Sequence, residues 1–441
     1  MEHSIYLITC ISKKDSCFLE VTALNMLENI TILSQLAQSK KGILTAQHFP
    51  TSRQTSLQQL CSDVFDHIAA AKIMRVALRP PPVNGYFPHR TDSTQFLYRY
   101  EPSHWWTSGF FPGSIWLLYE RSLRTNLSFS SDEILAQALK WQKGMEKEQY
   151  NKETHDLGFM ILPAFYRHYK HFENAASKEI IINAGTSLAS RWSEKVQCLR
   201  SWDTCHTKRF SFENTNKDFL VIIDNMMNLD LLYICSELTG DDEFRRIATA
   251  HAHTTLQNHL RADSSTYHLV NYNPETGEVK GRYTIQGYDD NSCWSRGQAW
   301  ALYGYATVYK YTKDKKFLDA ANNCTRYFCD RIGNNHGAVV WDFDAPRSPV
   351  ILDTSAATIA CSGMLLLNEL TGDSQYLPWV AQMMRYCLSQ TLAPDGSDTV
   401  LRDATVNNNK DAIEQSFQTG LVYADYYLLE AGNRLLNIEL E

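Results

Sequence analysis

The sequence predicts an all-α protein whose helices pair into hairpins around a closed ring. Three observations carry that reading. Helical periodicity dominates the chain. Alternating strand patterns are few and short. One local plan recurs in "CSELTGDDEFRRIATAHAHTTLQNHL" from Cys235, "YKYTKDKKFLDAANNCTRYFCDRI" from Tyr309 and "LNELTGDSQYLPWVAQMMRYCLSQ" from Leu367. In each, a helix ends, a tight Thr-x-Asp turn follows, and an amphipathic helix begins with an aromatic residue. The turn threonines are Thr239, Thr312 and Thr371, spaced by 73 and 59 residues. Those intervals fit a helical hairpin plus a loop, but they are too long and too uneven for the usual solenoid periods. A closed double ring of helices is therefore expected.

The elements follow in order. Residues 1–55 are polar and loosely patterned, as in "AQSKKGIL" and "HFPTSRQTS", and read as an N-terminal extension that is partly helical at most. Residues 56–441 carry no Pro/Gly linker and read as one domain. "SSDEILAQALKWQKGMEKEQY" places Ser131 and Asp132 before a helical run, an N-cap signal. "IIDNMMNLDLLY", from Ile222 to Tyr233, has the length and apolar content of a helix, yet Asp224, Asn225 and Asn228 interrupt it. Burying such groups is costly unless each finds partners. "QAWALYGYATVYKYTKDKKFLDAANNCTRYFCDRI" reads as two helices.

Composition narrows the function classes. Net charge is -7, and no basic stripe speaks for nucleic acid. No stretch approaches the roughly 18 apolar residues of a membrane span. The N-terminus carries an acidic residue at position 2 and no clean cleavage site, so no signal peptide is expected. The 11 cysteines are scattered without a Cys-x-x-Cys pair, the pattern of a reduced, cytoplasmic protein, with secretion left open. Sequons at Asn29, Asn126 and Asn323 matter only if the chain is secreted. Aromatics make up 12% of the chain, which suits either a carbohydrate cleft or a large core. A monomer or weak homo-oligomer is expected. Phosphate-binding Gly loops, Gly-x-Ser-x-Gly elbows and His-Glu-x-x-His are absent. His251 and His253 are two apart on a helix, where side chains diverge, so they are a poor metal pair.

Four stretches combine polar groups with aromatics and glycines: "HWWTSGFFPGSIWLLYE" (104–120), "THDLGFMILPAFYRHY" (154–169), "VIIDNMMNLDLLY" (221–233) and "QGYDDNSCWSRGQAWALYGY" (286–305). Each sets its polar residues before, or in the first turns of, an apolar helix. A helical toroid opens its cleft there, and helix N-termini offer unpaired N–H groups. Asp156 and Asp224 could meet across that cleft, where repulsion and burial would raise at least one pKa and fit a carboxyl for acid/base work on a sugar. Alternatively, each simply caps its helix. Arg296 and Trp300, at i and i+4, share a face. Together they suit a sugar bearing a carboxylate or sulfate, or Arg296 pairs structurally with Asp289 or Asp290. Trp105 and Trp106 could form a sugar platform or join the core.

Taken together, "WTSGFFPG", "HDLGF", "IIDNMMNL", "YHLVNYNPETG", "QGYDDNSCWSRGQAW", "DTSAATIACSG" and "ADYYLLEA" resemble the unsaturated glucuronyl hydrolases of glycoside hydrolase family 88, over roughly residues 60 to 435. The resemblance implies an (α/α)6 barrel, a six-hairpin toroid. It implies removal of a 4,5-unsaturated uronic acid from the non-reducing end of oligosaccharides made by polysaccharide lyases, by hydration of the C4=C5 vinyl ether, with no metal or organic cofactor. Asp224 matches the family's acid/base and Asp156 its second carboxylate. His155, Trp106, His268, Arg296 and Trp300 match substrate-binding positions. Trp202, in "SWDTC", matches another, inside a longer insert, "QCLRSWDTCHTKRFSFENTNKDFL". Asp224 would sit in an apolar helix because an acid working near neutral pH needs a raised pKa, with Asn225 and Asn228 satisfying its neighbourhood. The chain departs from the family at Tyr423 and Ala424, where Trp-Gly is frequent, and in "NNNKDAIEQSFQTG", which bears on sulfation preference. The unsaturated rhamnogalacturonyl hydrolases are the nearest confusable family. A sugar isomerase or epimerase on the same toroid stays open through the His155–Asp156 pair, and a catalytically dead carbohydrate-binding protein is disfavoured by the two aspartates.

Overall fold

The computed structural model describes residues 56–438, so the expected N-terminal extension and the Asn29 sequon lie outside the described residues. Twelve helices stand out among those residues. The first, α1, is continuous through Leu57–Ser62, a π-helical Asp63–Ala69 and Ala70–Leu78. It is followed by α2 (Phe110–Ser122), α3 (Ser131–Lys143), and α4, built from Leu157–Ile161, Leu162–Tyr166 and Arg167–Phe172. The rest are α5 (Ala175–Ala189), α6 (Asn225–Thr239), α7 (Asp242–Asn258), α8 (Ser295–Thr312), α9 (Lys315–Ile332), α10 (Thr354–Thr371), α11 (Leu377–Gln390) and α12 (Val422–Leu435).

The even-numbered helices form the inner ring. Each packs on the next, α2 on α4, α4 on α6, and so on to α12, which returns to α2. The odd-numbered helices pack outside them. This is the (α/α)6 barrel that the sequence predicts. Burial follows the same division. In α8 every residue from Ser295 to Val308 is buried, and in α10 every residue from Thr354 to Leu367. In the outer helix α9 the buried residues Phe317, Ala320, Ala321, Cys324, Phe328 and Ile332 follow helical spacing along one face.

The recurring Thr-x-Asp is one turn used three times. Thr239, Thr312 and Thr371 donate their hydroxyls back to the carbonyls of Cys235, Val308 and Leu367. The same hydroxyls accept the N–H groups of Asp241, Asp314 and Asp373. Those aspartates then accept the N–H groups of Glu243, Lys316 and Gln375 at the next helix start. The middle residue is left-handed, at φ 75° in Gly240, 56° in Lys313 and 72° in Gly372. One N-cap shifts by a residue from the expectation. Ser130, not Ser131 or Asp132, caps α3 and forms a reciprocal capping box with Glu133.

Such tight turns join inner to outer helices at one end of the ring. The long connections, outer to inner, all lie at the other end and hold the strands. Tyr86–Thr91 (β1) pairs antiparallel with Tyr98–Pro102 (β2) between α1 and α2. Phe219–Ile222 (β3), Leu269–Tyr272 (β4) and Val279–Tyr283 (β5) form an antiparallel sheet before α6 and α8. The N-termini of the inner helices open among these loops. Among the described residues, nine cysteines are free and eight of those are buried, and no helix is long and apolar enough to cross a membrane.

Candidate active site

The cleft begins where β3 meets α6. The run Phe219–Ile222 is strand, not the first turn of a helix, because its apolar side chains are buried against β4 and the loops beside it. Ile223 donates its N–H to the His268 carbonyl at 3.0 Å, the chain turns, and Asp224 becomes the N-cap of α6. Asp224 is thus not inside the helix as the sequence reading has it. It stands at the helix entrance, 7% exposed. Its carboxylate makes no capping bond, and Oδ2 has no hydrogen-bond partner.

That isolation sets its chemistry. Burial pushes the Asp224 carboxyl up to about 7. The Arg296 charge pulls it down, and the Asp156 charge raises it further. The Trp300 indole N–H also favours the ionised form, although it makes no well-formed hydrogen bond. His268 faces the same oxygen, with Nε2 at 3.8 Å from Oδ2. Its Nδ1 accepts the Ile285 N–H at 3.1 Å, so the neutral ring carries its proton on Nε2, toward Asp224. Burial lowers His268 to about 3, so it remains neutral.

Asp156 is the N-cap of α4, next to α6 in the ring. Thr154 donates its hydroxyl to Asp156 Oδ2 at 2.7 Å and accepts the Asp156 N–H at 3.1 Å. His155 is fully buried, with Nε2 at 3.3 Å from Asp156 Oδ1. Burial lowers its pKa, which Asp156 partly offsets. Asn225 and Asn228 do not bond to Asp224. Asn225 donates to the Leu199 carbonyl at 3.2 Å, and Asn228 accepts the Phe159 N–H at 3.0 Å. Asn228 thereby ties the start of α6 to the start of α4 and sets the two carboxylates relative to one another.

Arg296, in the first turn of α8, is 2% exposed. Its partner is neither Asp289 nor Asp290. Nη1 donates to Asp353 Oδ2 at 2.6 Å, and Nη2 to Gln286 Oε1 at 2.8 Å and to the Val406 carbonyl at 2.7 Å. With both terminal nitrogens held by protein, Arg296 acts on Asp224 through its charge. The guanidinium lies 4.5 Å over the Trp294 ring and 5.5 Å over Tyr423. Trp300 is buried and packs on Phe159 and Tyr427. Trp106 is half-buried, 5.0 Å from Tyr423, while Trp105 remains 40% exposed. Trp202 stands edge-on to His268 at 5.9 Å. All eight candidate residues are therefore at this end of the ring.

Three neighbours had no role in the sequence reading. Gln286 and Asp353 hold Arg296, and only the helix-start signal of "DTS" hints at Asp353. Tyr423, noted only as a departure, is fully buried, and its hydroxyl lacks a partner. Burial keeps that phenol protonated, so it can donate a hydrogen bond. His251 and His253 do diverge: the first accepts the Leu199 N–H at 3.0 Å and the second packs on Phe317. Among the described residues no group of three His, Cys, Asp or Glu side chains could hold a metal. A separate cavity of about 240 Å³ between the inner helices is lined by none of the candidates, and Arg167 pairs there with Glu120.

A raised carboxyl beside a second carboxylate, under aromatic walls, is equipped to move a proton to and from a sugar. Comparison with known proteins agrees. The profile of Glycosyl Hydrolase Family 88 matches residues 82–400. An unsaturated glucuronyl hydrolase of Formosa agariphila is 37% identical over 351 residues, covering 77% of this chain and 82% of that protein. An unsaturated chondroitin disaccharide hydrolase of Streptococcus pneumoniae is 29% identical, covering 74% of this chain and 80% of that one. A crystal structure of an unsaturated glucuronyl hydrolase specific for heparin aligns with a TM-score of 0.74 at 32% identity, over 86% of this chain and 97% of that one. The chain belongs to Glycosyl Hydrolase Family 88 and is a glycosidase.

Proposed function

We propose that this protein removes a 4,5-unsaturated uronic acid from the non-reducing end of oligosaccharides made by polysaccharide lyases. The observation that carries the reading is Asp224: a buried carboxyl, raised to about 7, with an oxygen left free. The substrate is a vinyl ether, C4=C5–O. Asp224 in its acid form gives its proton to C4, and positive charge develops at C5 and the ring oxygen. The carboxylate left behind takes a proton from a water molecule, which adds to C5. The resulting hemiketal opens, and the glycosidic bond breaks with release of the shortened sugar. One water is consumed, and Asp224 ends protonated as it began.

The other candidates have separable roles. Asp156 and the Nε2–H of His268 bind the sugar's oxygens, and the buried His155 backs Asp156. Trp106 and Trp202 supply aromatic surface against the ring, while the buried Trp300 favours the ionised Asp224 through its indole N–H. Arg296 keeps the Asp224 pKa from rising beyond use.

The direct experiment mixes the protein with unsaturated disaccharides from chondroitin, hyaluronan and heparin and follows the ultraviolet absorbance of the conjugated double bond. Absorbance is expected to fall with the parent protein and to hold steady with Asp224→Asn. No loss on these substrates or on unsaturated pectin fragments would remove the proposed activity.

A further inference from the structure

The insert that carries Trp202 does more than lengthen a loop. It continues into a short antiparallel ladder, Cys205–His206 against Ser211–Phe212, with residues 207–210 at its tip. Phe210 and Phe212 pack on Tyr283 of β5, and Cys205 is buried against the β3–β4 sheet. The tip then reaches two other segments. Arg209 Nη2 donates to Asp290 Oδ1 at 2.5 Å, and its Nε lies 3.7 Å from Asp411 Oδ2. Beside it, Lys208 donates its N–H to the Asp411 carbonyl at 2.7 Å.

Both segments support the catalytic end. The 284–292 loop contains Gln286, whose side chain holds Arg296. The 405–411 segment offers the Thr405 and Val406 carbonyls to the same guanidinium. It also closes onto the first loop, since Asn407 and Asn409 donate to the carbonyls of Ile285 and Gly287, at 3.1 and 2.6 Å. Arg209 is the cation at the point where three chain segments meet.

We infer that Arg209 is a positioning residue: it latches the insert hairpin across Asp290 and Asp411 and so holds the cleft wall for substrate. This inference rests on the proposed reading that an oligosaccharide enters this cleft. The latch does not touch the reacting atoms. Its loss loosens binding, while the Asp353 ion pair keeps Arg296 beside Asp224 and leaves the chemical step alone.

The test is Arg209→Met, which keeps an apolar stem over the Phe210 ring. A partly exposed ion pair of this kind supports an effect of about five-fold. KM for an unsaturated disaccharide should rise about five-fold while kcat stays within about two-fold. Amide hydrogen exchange should quicken in 405–416 and remain unchanged in the inner helices. In the double variant with Asp411→Asn, the second change should add little, because the pair is already broken. An unchanged KM in an active enzyme, or unchanged exchange over 405–416, overturns the latch. If the parent protein turns over no unsaturated disaccharide, the proposed activity falls, and the exchange measurement alone still decides whether Arg209 holds the loop.

Discussion

Replacing Asp224 by Asn should abolish turnover and, above neutral pH, make the protein more stable. The sign follows from linkage. The Asp224 carboxyl is raised from its ordinary 3.8 to about 7 by burial, against the pull of Arg296. Between those values the folded protein holds a proton that the unfolded chain has released. Parent stability therefore falls as pH rises through this window and levels off above about 7. Asn carries no such proton and remains neutral throughout. A rise of about three pH units, at ~1.4 kcal/mol each, sets a ceiling of ~4 kcal/mol on the pH-dependent difference. The assay is urea unfolding of both proteins from pH 4 to pH 8. Other titrating groups are common to both and cancel in the difference. The Asn variant should match the parent near pH 4 and exceed it increasingly up to about pH 7.5. A difference that is flat with pH, or that shrinks as pH rises, would refute the claim that Asp224 is held in its acid form.

Other consequences can be checked alongside. Asp156→Asn removes the negative charge that raises Asp224, so the alkaline fall of any residual kcat/KM should move to lower pH. Asn228→Ala deletes the acceptor that fixes the α4 start to α6 and should reduce kcat by roughly 10 to 100-fold, with the circular dichroism spectrum unchanged. Thr312→Val loses the hydroxyl that bridges Val308 and Asp314 and should cost about 1 kcal/mol in urea unfolding. Lys313→Gly, at φ 56°, should stabilise by up to about 1 kcal/mol, because Gly240 and Gly372 fill the equivalent turns without a Cβ.

What could be read from the sequence was the chemistry that is local. The Thr-x-Asp plan announces its turn because all three bonds lie within about eight residues. The α4–α5 turn escaped the pattern although its geometry is similar. Glu173 supplies the left-handed residue, at φ 49°, and Asn174 the cap for Ser177. Asp156 and Asp224 were conspicuous because each is charged within apolar surroundings near a helix start. The strand before Asp224 was not, since a short apolar run reads equally as buried strand or helix. Long-range pairing was the least legible. Arg296 finds Asp353, 57 residues away, and not the aspartates just upstream, one of which is occupied by Arg209 from the insert. Tyr423 showed only as a departure from the family pattern and Gln286 showed no role, because their residue types are ordinary in a core or a loop.

Why one aspartate here becomes an acid and others do not is a question of partners. Asp92, half-buried, accepts the N–H groups of Thr94, Gln95 and Leu97 and the Thr94 hydroxyl, and these hold its carboxyl far below the usual range. Asp425 is buried, which pushes it up to about 6, yet it takes bonds from Tyr98, Thr399, Val400 and Leu401 that favour its charge. Asp353, at the start of α10, spends its oxygens on Ser355 and Arg296. Asp224 occupies the equivalent N-cap of α6, where helix N–H groups would ordinarily stabilise a carboxylate. It makes no capping bond, keeps one oxygen free, and has the Arg296 charge, its own backbone N–H and the Trp300 indole to moderate its burial. The same residue type at two inner-helix starts thus serves opposite ends. Asp353 anchors Arg296, and through the Arg296 charge it keeps Asp224 within reach of neutral pH. Substituting Asp353 by Asn should therefore alter Asp224 indirectly. With Arg296 less firmly held beside it, the Asp224 pKa should rise, and the alkaline fall of kcat/KM should move upward, opposite to the effect of Asp156→Asn. A shift in the same direction for both variants would break the proposed chain from Asp353 through Arg296 to Asp224.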